Sequence, residues 1–168
     1  MTNAPRTDSH VTPPVSQTVI PTAKRVLIAG CGDLGLRVAR LLASENTANC
    51  SWGLRRQPDD ESTQDIPGFT WIACDLTRPS TLRDLPKDIT HVLYAAAPNA
   101  RTEADYRAVY RNGLEHLLQA VASPALQRVL FVSSTAVYGD HGAQWIDEET
   151  PTAPKSFNGR VLLETEQW

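Results

Sequence analysis

Gly30, Gly32 and Gly35 have the residue type and spacing to hold a phosphate. They stand in the run VLIAGCGDLGLRVARLL, residues 26–42, as Gly-x-Gly-x-x-Gly with Cys31, Asp33 and Leu34 between them. Gly30 permits a tight turn, Gly32 lets the backbone come up against a diphosphate, and Gly35 lets a helix pack close to the strand before it. The unpaired N–H groups at that helix start face the phosphates, and the helix dipole favours their negative charge. Such a pattern also arises by chance at ordinary strand–helix turns, so context has to decide. Here Val26, Leu27, Ile28 and Ala29 form a short apolar run of strand character, and Leu36, Val38, Ala39, Leu41 and Leu42 recur at helical spacing. Strand, glycine turn and helix together predict recognition of a dinucleotide.

The next strand ends suggest which dinucleotide. Arg55 lies twenty residues past Gly35, after the strand-like Ser51-Trp52-Gly53-Leu54, and Arg56 follows it. A dinucleotide-binding unit places the group that meets the adenosine ribose at about this distance. An acidic side chain there would accept from a free 2′-hydroxyl. Two guanidinium groups instead suit a 2′-phosphate by charge and by forked geometry. The prediction is NADP(H) in preference to NAD(H), against the alternative of a solvated basic pair at a loop start. Asp75, at the third strand end, is placed to accept from an adenine amino group while Leu76 covers the ring. Ala95, Ala96 and Ala97, at the fourth, leave room for the backbone to pass the cofactor, or simply pack tightly.

These residues need a scaffold that gathers several strand ends. The βα alternation predicts strands over 25–29, 50–54, 69–74, 90–96 and 128–134. Helices are expected over 34–45, 103–122 and from about 158, with a short turn over 79–84 opened by Pro79. This is an α/β chain, expected to form a Rossmann-type doubly wound parallel sheet in three αβα layers with its ligand beyond the carboxyl ends of the strands. Residues 1–23 carry Pro5, Pro13, Pro14 and Pro21 among many Ser and Thr, and predict a disordered tail. That leaves 24–168 as the NAD(P)-binding domain, with a polar loop over 57–66.

At 168 residues, 41% hydrophobic and 21% charged, the chain has the make-up of one globular domain. A net charge of −3 without a Lys/Arg block speaks against a nucleic-acid or membrane surface. No stretch has the length of a membrane span and no secretion signal is evident, so the expected location is the cytoplasm. Cys31, Cys50 and Cys74 lack metal-ligand spacing and are expected as reduced thiols, with no metal site. Cys31 sits near a helix N-terminus, which could lower its pKa, although a small residue in the turn is the simpler reading.

The fifth strand and its exit read VLFVSSTAVYG, residues 129–139. With the glycine loop, Asp75-Leu76, Gly113 and Leu117-Leu118, and the later Asp147-Glu148-Glu149-Thr150-Pro151, the chain over 25–168 resembles the extended short-chain dehydrogenase/reductase family, which includes nucleotide-sugar epimerases and dehydratases. Its Gly-x-Gly-x-x-Gly spacing, where extended members have one more residue between the first two glycines, points to an atypical subgroup. The resemblance implies a Ser or Thr that orients a substrate oxygen, and a Tyr-x-x-x-Lys pair whose phenol exchanges the proton. Ser134 falls at the first position. Asn158 stands where the Tyr belongs and Leu162 where the Lys belongs, while Pro154, Ser156, Gly159 and Glu166 keep the register. Tyr110 occupies the place of the Asn that many members use as a proton relay. Tyr138 is the nearby phenol, more simply read as packing at the strand-five turn.

An Asn amide has no proton to exchange near neutral pH, and Leu cannot bind a ribose hydroxyl. Two function classes follow. One is an atypical NADP(H)-binding member, oxidoreductase or epimerase/dehydratase-like, acting on an unidentified small molecule. The other is a non-catalytic dinucleotide-binding sensor, or an inactive fragment. The resemblance also implies a substrate-binding portion beyond Trp168, so the C-terminal substrate part is expected to be missing by truncation. It further implies a possible homodimer through the helix after strand four and the helix starting near Asn158.

Overall fold

Leu27, Ile28 and Ala29 are apolar on both sides of one strand, which only a central position in a covered parallel sheet can satisfy. In the computed structural model, which describes residues 23–58, 63 and 65–168, that is where they lie. The expected tail falls outside the described residues except for its last position, as does part of the expected loop over 57–66.

The chain runs β1 (Arg25–Ala29), α1 (Asp33–Glu45), β2 (Cys50–Arg55), β3 (Phe69–Ala73), a single 3₁₀ turn (Pro79–Leu82) and β4 (His91–Tyr94). A helical rod follows, made of α2 (Glu103–Tyr106), a π-helical segment (Arg107–Gly113) and α3 (Leu114–Ala120). Then come β5 (Arg128–Phe131), a second 3₁₀ turn (Thr135–Val137) and α4 (Phe157–Gln167). All strands pair in parallel, in the order β3-β2-β1-β4-β5. This is the Rossmann-type doubly wound sheet, and the winding reverses between β1 and β4.

Alternate residues of β1 feed separate cores. Val26 and Ile28 pack with Cys31 and Ala39 of the α1 side. Leu27 and Ala29 pack with Leu114 and Leu117 of the rod. Helices thus cover both faces and the sheet forms the middle layer. Leu27 is fully buried, so Leu27→Ala is expected to cost about 2–5 kcal/mol of stability. Denaturant unfolding reads this, and a loss below about 1 kcal/mol would contradict the packing described.

Several element boundaries differ from the sequence expectation. Strands four and five end at Tyr94 and Phe131 rather than at 96 and 134, because Ala95–Ala97 and Val132–Ser134 leave the ladder as loops. The rod is not one α-helix. The Tyr94 hydroxyl donates to the Val109 carbonyl at 2.5 Å, inside the helix ladder. A Cβ on Gly113 would lie 2.7 Å from the same phenolic oxygen. A side chain inserted into the ladder is a recognised cause of such a widening.

β5 is an outermost strand among the described residues, with Val129, Leu130 and, just past it, Val132 exposed at 39%, 48% and 39%. α4 turns Val161, Leu162 and Thr165 inward, and the ring of Trp168 lies under the Arg111 guanidinium at 4.0 Å.

Candidate functional site

Register brings the strand exits together. Ala29 stands opposite Leu54 of β2 and Tyr94 of β4, and Arg55 stands opposite Ala73 of β3. The residues that follow each strand therefore emerge at one end of the sheet. Backbone bonds tie the exits to each other: Cys31 N–H donates to the Leu54 carbonyl, Cys74 N–H to Arg55, and Ala95 N–H to Ala29.

The three glycines of the turn do different work. Gly30 has φ +77°, and a Cβ there would sit 2.2 Å from the Ala96 Cα, so the turn presses against the exit of β4. A Cβ on Gly35 would meet Ile28 Cγ2 at 2.8 Å and Cys31 Sγ at 2.9 Å, which sets the close approach of α1 to the sheet. Gly32 is the opposite case, with nothing within 4 Å of a Cβ position. It forms the N-cap of α1, where no side chain caps the first turn.

A cleft of about 560 Å³ opens at this end of the sheet. Of the residues expected at the cofactor, Gly30, Gly32, Arg55, Arg56, Asp75, Leu76, Ala95, Ala96 and Ala97 line it. Asp33, Leu34 and Gly35 do not. The Asp33 carboxylate pairs with Arg37 on the outside of α1, Leu34 is 48% exposed, and Gly35 is buried under the helix. Sequence reasoning gave no role at the site to Leu54, Cys74, Thr77, Pro98, Asn99, Asp105, Ala108 and Val109, which also line the cleft. The first five sit beside assigned strand ends, within reach of the same reasoning. The last three come from the rod, whose approach depends on tertiary packing.

Arg55 and Arg56 are exposed and make no salt bridge among the described residues. Asp75 is more engaged than the sequence suggests. One of its oxygens accepts from both the amide and the hydroxyl of Thr77, at 3.0 and 2.7 Å, and the other lies 3.7 Å from Arg78. Partial burial pushes its carboxyl pKa up, but the Thr77 bonds with Arg78 and Arg56 outweigh this and hold it below the ordinary value.

At Cys31 burial sets the direction of the shift, upward rather than the lowering that a helix terminus would bring. Desolvation raises its pKa to about 11 against a weaker opposing pull from Arg55, and burial likewise takes Cys74 to about 11. Both thiols are therefore protonated near neutral pH. In the native protein at pH 8 they are expected to resist an aromatic disulfide reagent and to react on unfolding. Rapid labelling of Cys31 at pH 7 would show a lowered pKa after all.

Ser134 and Tyr138 line neither this cleft nor the smaller cavity described next. Ser134 caps the second 3₁₀ turn, its Oγ accepting from the Ala136 amide at 3.2 Å. Tyr138 is half-buried at the end of that turn. Asn158 lies in the first turn of α4, where its Oδ1 accepts from the Ser156 hydroxyl. Leu162, one turn further on, is 2% exposed. A second cavity of about 330 Å³ is lined by Arg101, Tyr106, Phe157 and Asn158. No cluster of three or more His, Cys, Asp or Glu suited to a metal occurs among the described residues, and no helix there is long and apolar enough to cross a membrane.

Residues 26–159 match the profile of the NAD dependent epimerase/dehydratase family. Protein YeeZ of Escherichia coli K12 is 28% identical over 156 residues, covering 86% of this chain and 53% of that protein. A structure from Methylobacillus flagellatus, solved as an NAD-dependent epimerase/dehydratase, is 37% identical with a TM-score of 0.69 over 87% of this chain and 50% of its own. A short-chain dehydrogenase/reductase superfamily protein from Agrobacterium tumefaciens, solved with bound NAD, is 25% identical with a TM-score of 0.68, covering 85% and 43%. The chain thus spans about half the length of the relatives it matches.

Proposed function

Because this chain belongs to the NAD-dependent epimerase/dehydratase family, we propose that it forms the dinucleotide-binding half of an atypical, NADP(H)-preferring member, oxidoreductase or epimerase/dehydratase-like in its chemistry. The observation that carries the reading is the open space at Gly32, inside a cleft at the point where the winding of the sheet reverses. A backbone without a side chain there, next to uncapped amides at the start of α1, fits a diphosphate.

The chain's own residues then divide the work. The Gly30–Gly32 backbone and the first turn of α1 hold the pyrophosphate. Arg55 and Arg56 fork onto a 2′-phosphate, being unpaired cations at the lip of the cleft. Asp75 and Leu76 border the adenine, and Ala95–Ala97 keep the far wall thin. A bound nicotinamide supplies hydride transfer. Ser134 keeps its hydroxyl proton to donate to a substrate oxygen, since its lone pair takes the Ala136 amide.

Titration with NADPH and NADH, followed by fluorescence, tests this. Saturable binding with NADPH the tighter is expected, and saturation by neither would sink the proposal. Arg55→Asp is expected to weaken NADPH by roughly tenfold or more, about 1.4 kcal/mol, and NADH much less. An unchanged ratio of the two affinities would reduce Arg55 to a surface residue.

The buried Leu162 favours a second reading. A side chain 2% exposed leaves no cation at the position where the family pattern has its lysine, and the Asn158 amide transfers no proton. On that reading the chain binds the dinucleotide without turnover. Turnover of any carbonyl or nucleotide-sugar substrate, abolished by Ser134→Ala, would rule it out.

A further inference from the structure

The second cavity has a composition of its own. Arg101 makes no ion pair or hydrogen bond among the described residues. Arg101 is exposed, and none of the nearby acids pairs with it. Glu103 and Glu164 of α4 share Arg107, at 3.2 and 2.7 Å, and Asp105 accepts from the Thr102 hydroxyl. Arg101 is thus a cation without an ion-pair partner among the described residues. Across the cavity, the Asn158 Oδ1 is occupied by the Ser156 hydroxyl, which leaves the amide NH₂ as the group it can offer. The remaining wall is aromatic, with the rings of Tyr106 and Phe157 meeting edge to face at 5.4 Å.

A site that presents a forked guanidinium and an amide donor, with no carboxylate, selects an acceptor-rich group. Its volume, about 330 Å³, is at the small end for ligand sites. The segment after β4 serves both cavities: Asn99 and Asp105 line the dinucleotide cleft, while Arg101 and Tyr106 line this one.

We propose that this cavity is a substrate subsite that anchors the carboxylate of a small organic acid. Arg101 takes the two carboxylate oxygens, Asn158 donates to one of them, and the Tyr106–Phe157 wall covers the carbon body. Calling it a substrate subsite rests on the reading that the adjoining cleft takes the dinucleotide. Asn158 then has a binding task at the position where the family pattern has its phenol, which gives Arg101 and Asn158 a shared role in specificity.

The test is a titration of the cofactor-free protein with glycerate, glycerol and inorganic phosphate, followed by NMR at the Asn158 side-chain amide and the Arg101 Nε–H. Saturable shifts with glycerate are expected, with none from glycerol and a weaker response to phosphate. Arg101→Gln and Asn158→Ala are each expected to lower the glycerate affinity, the first by roughly tenfold. No saturable glycerate shift, an equal response to glycerol, a preference for phosphate, or full affinity in Arg101→Gln would each overturn the carboxylate assignment. NADPH binding is measured separately on the same samples. Its failure in the parent protein strikes the dinucleotide reading, whereas failure of the glycerate titration strikes only this one.

Discussion

Gly32→Val abolishes dinucleotide binding while leaving the protein folded. The expected loss for both NADPH and NADH exceeds roughly 100-fold, about 2.7 kcal/mol. The argument has two halves. The Cβ of a valine at Gly32 meets no atom beyond its chain neighbours, because nothing lies within 4 Å of that position. The Gly32 φ of −93° lies outside the left-handed region that favours glycine. The fold therefore loses only the small difference between Gly and Val as an N-cap, about 1 kcal/mol or less. The same side chain projects beside the cleft, where the diphosphate has to come against the backbone. Fluorescence titration and a thermal melt, run side by side, separate the effects. Unchanged affinity with an unchanged melt would mean that the loop does not meet the phosphates.

Gly30→Ala gives the reverse outcome, a protein that is destabilised first and fails to bind as a consequence. At φ +77° a non-glycine residue costs about 1–2 kcal/mol from backbone sterics alone. The new Cβ would also lie 2.2 Å from the Ala96 Cα and 2.4 Å from its nitrogen, both of them backbone atoms of a strand exit that cannot swing aside like a side chain. We expect a total loss of about 4 kcal/mol and a melting temperature lower by on the order of 10 °C. A loss below about 1 kcal/mol would show that the contact between the turn and the exit of β4 is not formed in solution. The contrast between two glycines only two positions apart makes the pair of variants informative.

Local signals made the glycine turn legible. Val26–Ala29, the glycines and the helical spacing after Gly35 each point the same way within one short segment, and the parallel, doubly covered sheet follows from the βα alternation. The end of strand four is not marked at Ala95 and Ala96, because small apolar residues look alike in a strand and in a loop pressed against Gly30. The π-helical segment left no mark in the residues that form it, since its cause is Tyr94, a strand residue whose hydroxyl reaches Val109. Cys31 was open to two opposite arguments, and the extent of its burial, invisible in sequence, decides between them. Asn158 and Leu162 were noticed as departures from a pattern. That Asn158 faces an unpaired Arg101 depends on α4 docking against α2, and only the folded chain shows it.

The contact between Gly30 and Ala96 also bears on how a ligand is received. It locks the two lips of the cleft together at the place where the sheet changes its direction of winding. The cleft therefore has no hinge there, and the conformational entropy of its phosphate turn is surrendered when the chain folds rather than when a ligand arrives.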